Sequence, residues 1–103
     1  MRFSDRVYQI IKKIPEGRVS TYAEVAMALD SRAYQAVGQA LKQNRFHEKI
    51  PCFRVVKSNG EVGGYNGNQQ ENIKRKIRRL IADGIDVKNN RIVNLNKVLY
   101  RFH

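Results

Sequence analysis

The chain has 103 residues, enough for one compact domain with a modest core, and its 20 Lys and Arg against 9 Asp and Glu leave a formal net charge of +11. So basic a surface attracts polyanions, nucleic acid first among them, with acidic proteins or acidic lipids as the blander alternative. A single cysteine excludes an internal disulfide and, with only two histidines, argues against a structural zinc site, while no apolar run of about 18 residues exists to span a bilayer.

The thiol is accordingly expected to be reduced and the protein intracellular, cytoplasmic or nucleoid/nuclear. Polar residues interrupt the apolar positions of the first residues, so no secretory signal is expected there. Without repeats, low-complexity tracts or a Pro/Gly/Ser linker, residues 1–103 read as a single domain, with no cofactor.

Ser4 is a candidate N-cap, and Phe3, Val7, Ile10, Ile11 and Ile14 share one face of a helix predicted to run to about Lys13. Pro15-Glu16-Gly17 ends it, and Arg18-Val19-Ser20 reads as extended. Thr21-Tyr22-Ala23-Glu24 has the capping-box form, so a second helix should start at Tyr22 and reach Leu29, burying Val25, Ala26 and Leu29.

Asp30-Ser31 breaks that helix. A third, from Arg32 or Ala33 to Gln43, would bury Ala33, Val37, Ala40 and Leu41. Two helices with so short a junction outline a helix-turn-helix, whose second member would offer Arg32, Gln35, Gln39, Lys42 and Gln43 to a DNA groove. The same polar face also suits any solvated helix. Asn44 is the expected C-cap.

Ile50-Pro51 is a stiff extended approach to Cys52, and Val55-Val56 then starts a strand. Local sequence leaves Cys52 open between a small buried hydrophobe and a nucleophile. Lys57 to Glu61 reads as a hairpin turn on Asn59-Gly60, joining that strand to another near Val62. A loop from Gly63 to Asn68 carries Tyr65.

Gln69 to Ala82 has helical periodicity, with Ile73, Ile77, Leu80 and Ile81 on the buried side and Lys74, Arg75, Lys76, Arg78 and Arg79 outside. Gly84 caps it, Asn89-Asn90 turns the chain between Val87 and Ile92-Val93, and Tyr100-Arg101-Phe102 packs back on the core. The predicted fold is mainly α with a small β wing, a winged helix-turn-helix.

Across nearly the whole chain, these segments resemble the catalytic domain of the O6-alkylguanine-DNA alkyltransferases and the related alkyltransferase-like proteins. Gly17-Arg18-Val19-Ser20-Thr21-Tyr22 is similar to the opening of the family's helix-turn-helix, and Ala36-Val37-Gly38 lies in its recognition helix. Asn44 falls eight residues before the cysteine, Pro51-Cys52-Phe53-Arg54-Val55 resembles the Pro-Cys-His-Arg-Val signature, and Gly63-Gly64-Tyr65 matches the loop beyond it. The short length and the tail from Arg91 to Phe102 look more like the alkyltransferase-like group, which lacks the cysteine.

The resemblance implies binding to double-stranded DNA from the minor groove, with an O6-alkylated guanine flipped out and its alkyl group transferred irreversibly to Cys52. The alternative it carries is a non-catalytic lesion sensor that recruits nucleotide excision repair proteins. It further implies that Asn44 ties the cysteine turn to the recognition helix, that Tyr22 and the backbone carbonyls of Cys52 and Val55 contact the guanine, and that Tyr65 and Asn66 close over its O6 side. A monomer is expected.

Three departures stand out. Phe53 replaces the histidine that takes the thiol proton in the family, and Asp83 is the nearest substitute for that histidine's glutamate partner. Gln35 replaces the arginine that fills the gap left by the flipped base, with Arg32 one turn earlier. His47 is a conceivable substitute base or an ordinary surface histidine.

Overall fold

The computed structural model describes residues 2–43, 49–63 and 70–102. Five helices, one 3-10 turn and four two-residue strands follow one another: α1 (Phe3–Ile11), β1 (Ser20–Thr21), α2 (Tyr22–Ala28), α3 (Tyr34–Lys42), the turn Cys52–Arg54, β2 (Val55–Val56), α4 (Gln70–Ala82), β3 (Val87–Lys88), β4 (Arg91–Ile92) and α5 (Leu95–Val98). The fold is mainly helical with small sheets, as the sequence predicts.

Helix α1 buries Val7 and Ile11 against α3, which contributes Val37, Ala40 and Leu41. Each buried Val, Ile or Leu among them stabilises the fold by roughly 1.5–3 kcal/mol relative to exposure. The Tyr8 hydroxyl bonds the Ala40 carbonyl at 2.6 Å and so pins the two helices in register. Helix α1 starts at Phe3, one residue before the expected Ser4 cap, and Arg2 at its N-cap makes no side-chain bond. At α2 the predicted cap forms: Thr21 Oγ1 accepts from the Glu24 amide at 3.1 Å.

Helix α3 begins only at Tyr34, because Ser31 Oγ accepts from the Ala33 amide and holds the preceding residues in a turn. Ala33 is therefore exposed rather than part of the buried stripe.

The strands pair differently from the predicted hairpin. The turn at Asn59-Gly60 does form, with the Gly60 amide bonded to the Lys57 carbonyl at 2.9 Å. However, β2 pairs in parallel with β1, Ser20 opposite Val55 and Thr21 opposite Val56. Val62 donates instead to the Asn90 carbonyl, beside the antiparallel pair β3 and β4 turned on Asn89-Asn90. The parallel register sets Ser20 beside Val55, the residue that follows the cysteine turn, and α2 starts two residues after Ser20.

The tail closes the other side of β1. Val19 donates to the Val98 carbonyl at 2.9 Å, Ser20 Oγ to the Tyr100 carbonyl at 2.9 Å, and Arg18 to the carbonyls of Val98 and Leu99. Tyr100 and Phe102 meet edge to face at 5.3 Å and pack on the core, as expected of the aromatic tail. Helix α4 ends at Ala82, and Gly84 follows at φ +90°, where the missing Cβ removes the penalty of the left-handed region.

Candidate DNA-repair site

Cys52 opens the 3-10 turn and is 3% exposed. Pro51 supplies the bend before it, and the turn closes on itself through the Val55 amide, which donates to the Cys52 carbonyl. The Cys52 amide in turn donates to the Ile50 carbonyl at 2.8 Å. These backbone bonds hold the turn, and the Cys52 side chain is buried in the core cluster with Val55 and Val56.

Lys76 is the residue that sequence reasoning missed. Expected on the outside of α4, it is 1% exposed, and its Nζ donates to the Val55 carbonyl at 2.7 Å. The signal was available: Lys76 lies three residues after Ile73 and four before Leu80, on the helix's own buried stripe. Ile81, predicted to be inside, is 55% exposed in its place.

Burial pushes the Lys76 ammonium down to about 7 from the ordinary 10.5; Cys52 pulls it up and Lys57 pushes it further down. Its Nζ also sits 5.9 Å from the centre of the Tyr22 ring. Burial, and then the Cys52 charge, push the Tyr22 hydroxyl up to about 12. Tyr8 is shifted upward by the same two causes, with a smaller contribution from Asp5. Three titratable side chains from three helices thus respond to the charge on one thiol.

Tyr22 also abuts the loop that follows. Gly63 has φ +77°, and a Cβ there would stand 3.4 Å from both the Tyr22 hydroxyl and Lys57 Cγ. Asn44, His47, Tyr65 and Asn66 lie outside the described residues.

Phe53 is 4% exposed, and its ring has no site for a proton. The guanidinium carbons of Arg79 and Arg54 lie 4.7 and 5.1 Å from its ring centre. Asp83 is held by Arg54, whose Nε and Nη2 donate to its two carboxylate oxygens, and it also accepts from the Gly17 amide. A cleft of about 370 Å³ opens over Phe53, Arg54, Arg79 and Asp83, behind the turn; Cys52 does not line it.

On the helix-turn-helix, Gln35, Gln39 and Lys42 are exposed on the side of α3 opposite Val37, Ala40 and Leu41, with Arg32 exposed in the turn before the helix and Gln43 exposed at its C-cap. No group of three or more potential metal ligands occurs among the described residues, and no described helix is long and apolar enough to cross a membrane.

A bifunctional methyltransferase/endonuclease of Picrophilus torridus is 44% identical over 94% of this chain, which spans 30% of that relative. A methylated-DNA–protein-cysteine methyltransferase of Methanothermobacter thermautotrophicus is 38% identical over 82% of the chain, which spans 46% of it. The chain therefore covers about a third to a half of these curated relatives. Among solved structures, Schizosaccharomyces pombe Atl1 bound to damaged DNA containing O6-carboxymethylguanine superposes with a TM-score of 0.83 at 27% identity, over 99% of this chain and 100% of that one. Mycobacterium tuberculosis OGT in complex with DNA gives 0.74 at 32% identity, over 82% of this chain and 49% of that one. Residues 2–85, from α1 through the cysteine turn to the end of α4, match the family model described as 6-O-methylguanine DNA methyltransferase, DNA binding domain, and the chain belongs to that alkyltransferase family as one of its DNA-binding domains.

Proposed function

We propose that residues 1–103 act as one monomeric unit that binds double-stranded DNA containing O6-alkylguanine and transfers the alkyl group to Cys52. The observation that carries this reading is a buried cysteine opening a 3-10 turn whose closing residue, Val55, accepts a hydrogen bond from a buried lysine amine. Sulfur attacks the alkyl carbon in line, the carbon–oxygen bond to guanine breaks, and the product is an S-alkyl cysteine, so each molecule reacts once. The relatives named as methyltransferases support it.

In this reading Arg32 and the exposed face of α3, with Gln35, Gln39 and Lys42, lie against DNA from the minor-groove side. The flipped guanine enters between Tyr22, the Val55 carbonyl and the segment bearing Tyr65 and Asn66, while Asn44 steadies the cysteine turn.

A second reading is favoured by Phe53, which has no site for a proton, and by the end-to-end likeness to Atl1. In that reading the domain shields the lesion without chemistry and recruits nucleotide excision repair proteins. Intact-mass measurement after incubation with an O6-methylguanine oligonucleotide separates the two: one methyl in place of one hydrogen, mapped to Cys52, supports transfer. A stable complex at unchanged mass supports sensing.

A further inference from the structure

We propose that Lys76 is the base that ionises Cys52, taking the thiol proton in the place left without a base by Phe53. This rests on the alkyl-transfer reading above and names the residue that makes it chemically possible.

The helix brings the amine to the residue that closes the cysteine turn. Lys76 projects from the buried stripe of α4, and its Nζ is anchored at 2.7 Å on the carbonyl of Val55, the residue that closes the Cys52 turn. Cys52 and Lys76 act on each other's charge inside the core, where water screens little.

The other groups around the thiol are poor acceptors at neutral pH. Tyr22 of α2 and Tyr8 of α1 both have hydroxyls pushed upward, so they stay protonated. Lys57, beyond β2, lowers the proton affinity of Lys76 and so helps to keep it neutral. Asp83 is occupied by Arg54, and the Phe53 ring by two guanidiniums. Among the described residues with a resolved shift, Lys76 is the group that exchanges a proton near pH 7.

The step balances without a further reactant. The neutral amine accepts the proton from sulfur, leaving a thiolate and an ammonium. The thiolate forms the S–C bond as the C–O bond breaks, its electron pair passes to guanine, and the ammonium's proton neutralises the departing base.

Two variants and two readouts test this. Lys76→Met removes the amine and keeps an unbranched apolar chain, whereas Lys76→Gln keeps a donor for the Val55 carbonyl but has no proton to exchange. The pH dependence of alkyl transfer from an O6-methylguanine oligonucleotide should rise through about pH 7 in the native protein. Both variants should lose about 10- to 30-fold at pH 7, the gap between an ionised thiol and one titrating near 8.5, and recover as the pH climbs above that value. A Lys76→Gln rate and profile matching the native protein would overturn the proposal and leave Lys76 a positioning residue. Independently of any transfer, thiolate absorbance is followed against pH in the DNA-free protein, with a Cys52→Ser baseline. If the native protein transfers nothing, a thiol that ionises at lower pH than in either variant upholds Lys76 while alkyl transfer fails; coincident titrations in all three overturn the Lys76 proposal itself.

Discussion

Arg54 holds Asp83 through two parallel hydrogen bonds of 2.8 and 2.9 Å, and spends its remaining nitrogen on the Ile14 carbonyl at 3.0 Å. The pair joins the cysteine turn, the end of α4 and the end of the α1 segment at one point. The side chains are 17% and 6% exposed, so the interaction is far from a surface ion pair. It explains why Asp83 is unsuited to a proton relay: both carboxylate oxygens already accept from a permanently charged guanidinium.

Asp83→Ala should therefore cost about 3 kcal/mol of folding stability, because it leaves Arg54 charged and unpaired. Denaturant unfolding measures the loss. At a temperature where the variant remains folded, the pH profile of Cys52 should be unchanged, in contrast with the Lys76 variants.

Lys76 makes a prediction about stability as well as chemistry. Its native pKa of about 7 lies below the ordinary 10.5, so between those values the unfolded chain binds the extra proton. Stability contributed through this group therefore rises with pH across that window, by on the order of 1.4 kcal/mol per unit, and is flat below it, where both states are protonated. Lys76→Met, which has no charge to bury, should lack this rise. The difference in melting temperature, variant minus native, should fall steadily from pH 7 to pH 9.5.

Gly38 sits inside α3 with open space where a Cβ would be, so neither packing nor backbone conformation calls for glycine. Gly38→Ala should raise stability by about 0.5–1 kcal/mol through helix propensity. If the exposed side of α3 is pressed closely onto DNA, the same methyl group should weaken DNA binding. Thermal melting and fluorescence anisotropy on a labelled duplex would show opposite signs.

The charge on α3 predicts a salt effect. Lys42, exposed in the last turn of the helix, should release a counterion when it meets a phosphate. Lys42→Ala should make the slope of log affinity against log salt shallower by about 0.9, with little change in discrimination between damaged and undamaged duplexes. Titrations at several salt concentrations measure both.

The helices were legible because their apolar spacing and caps are local signals, as Thr21 with Glu24 shows. The parallel pairing of β1 with β2 was not, since two-residue strands carry no period and the partners lie far apart in the chain. Cys52 stood out as the lone cysteine in a recognisable setting. Lys76 was misplaced because residue class outweighed position: a cation among Lys74, Arg75, Arg78 and Arg79 reads as solvated, although its spacing from Ile73 and Leu80 puts it inside. A buried lysine is held there by a partner on another element, and that partner, the Val55 carbonyl, is visible only in the fold.

If Cys52 accepts the alkyl group, lesions must disappear in proportion to protein. A duplex carrying one O6-methylguanine is titrated with the protein, and the lesion remaining is quantified after nuclease digestion. Each equivalent of protein should remove one equivalent of O6-methylguanine and no more, and Cys52→Ser should remove none. Lesions that persist in full while the protein stays bound to them would contradict alkyl transfer to Cys52.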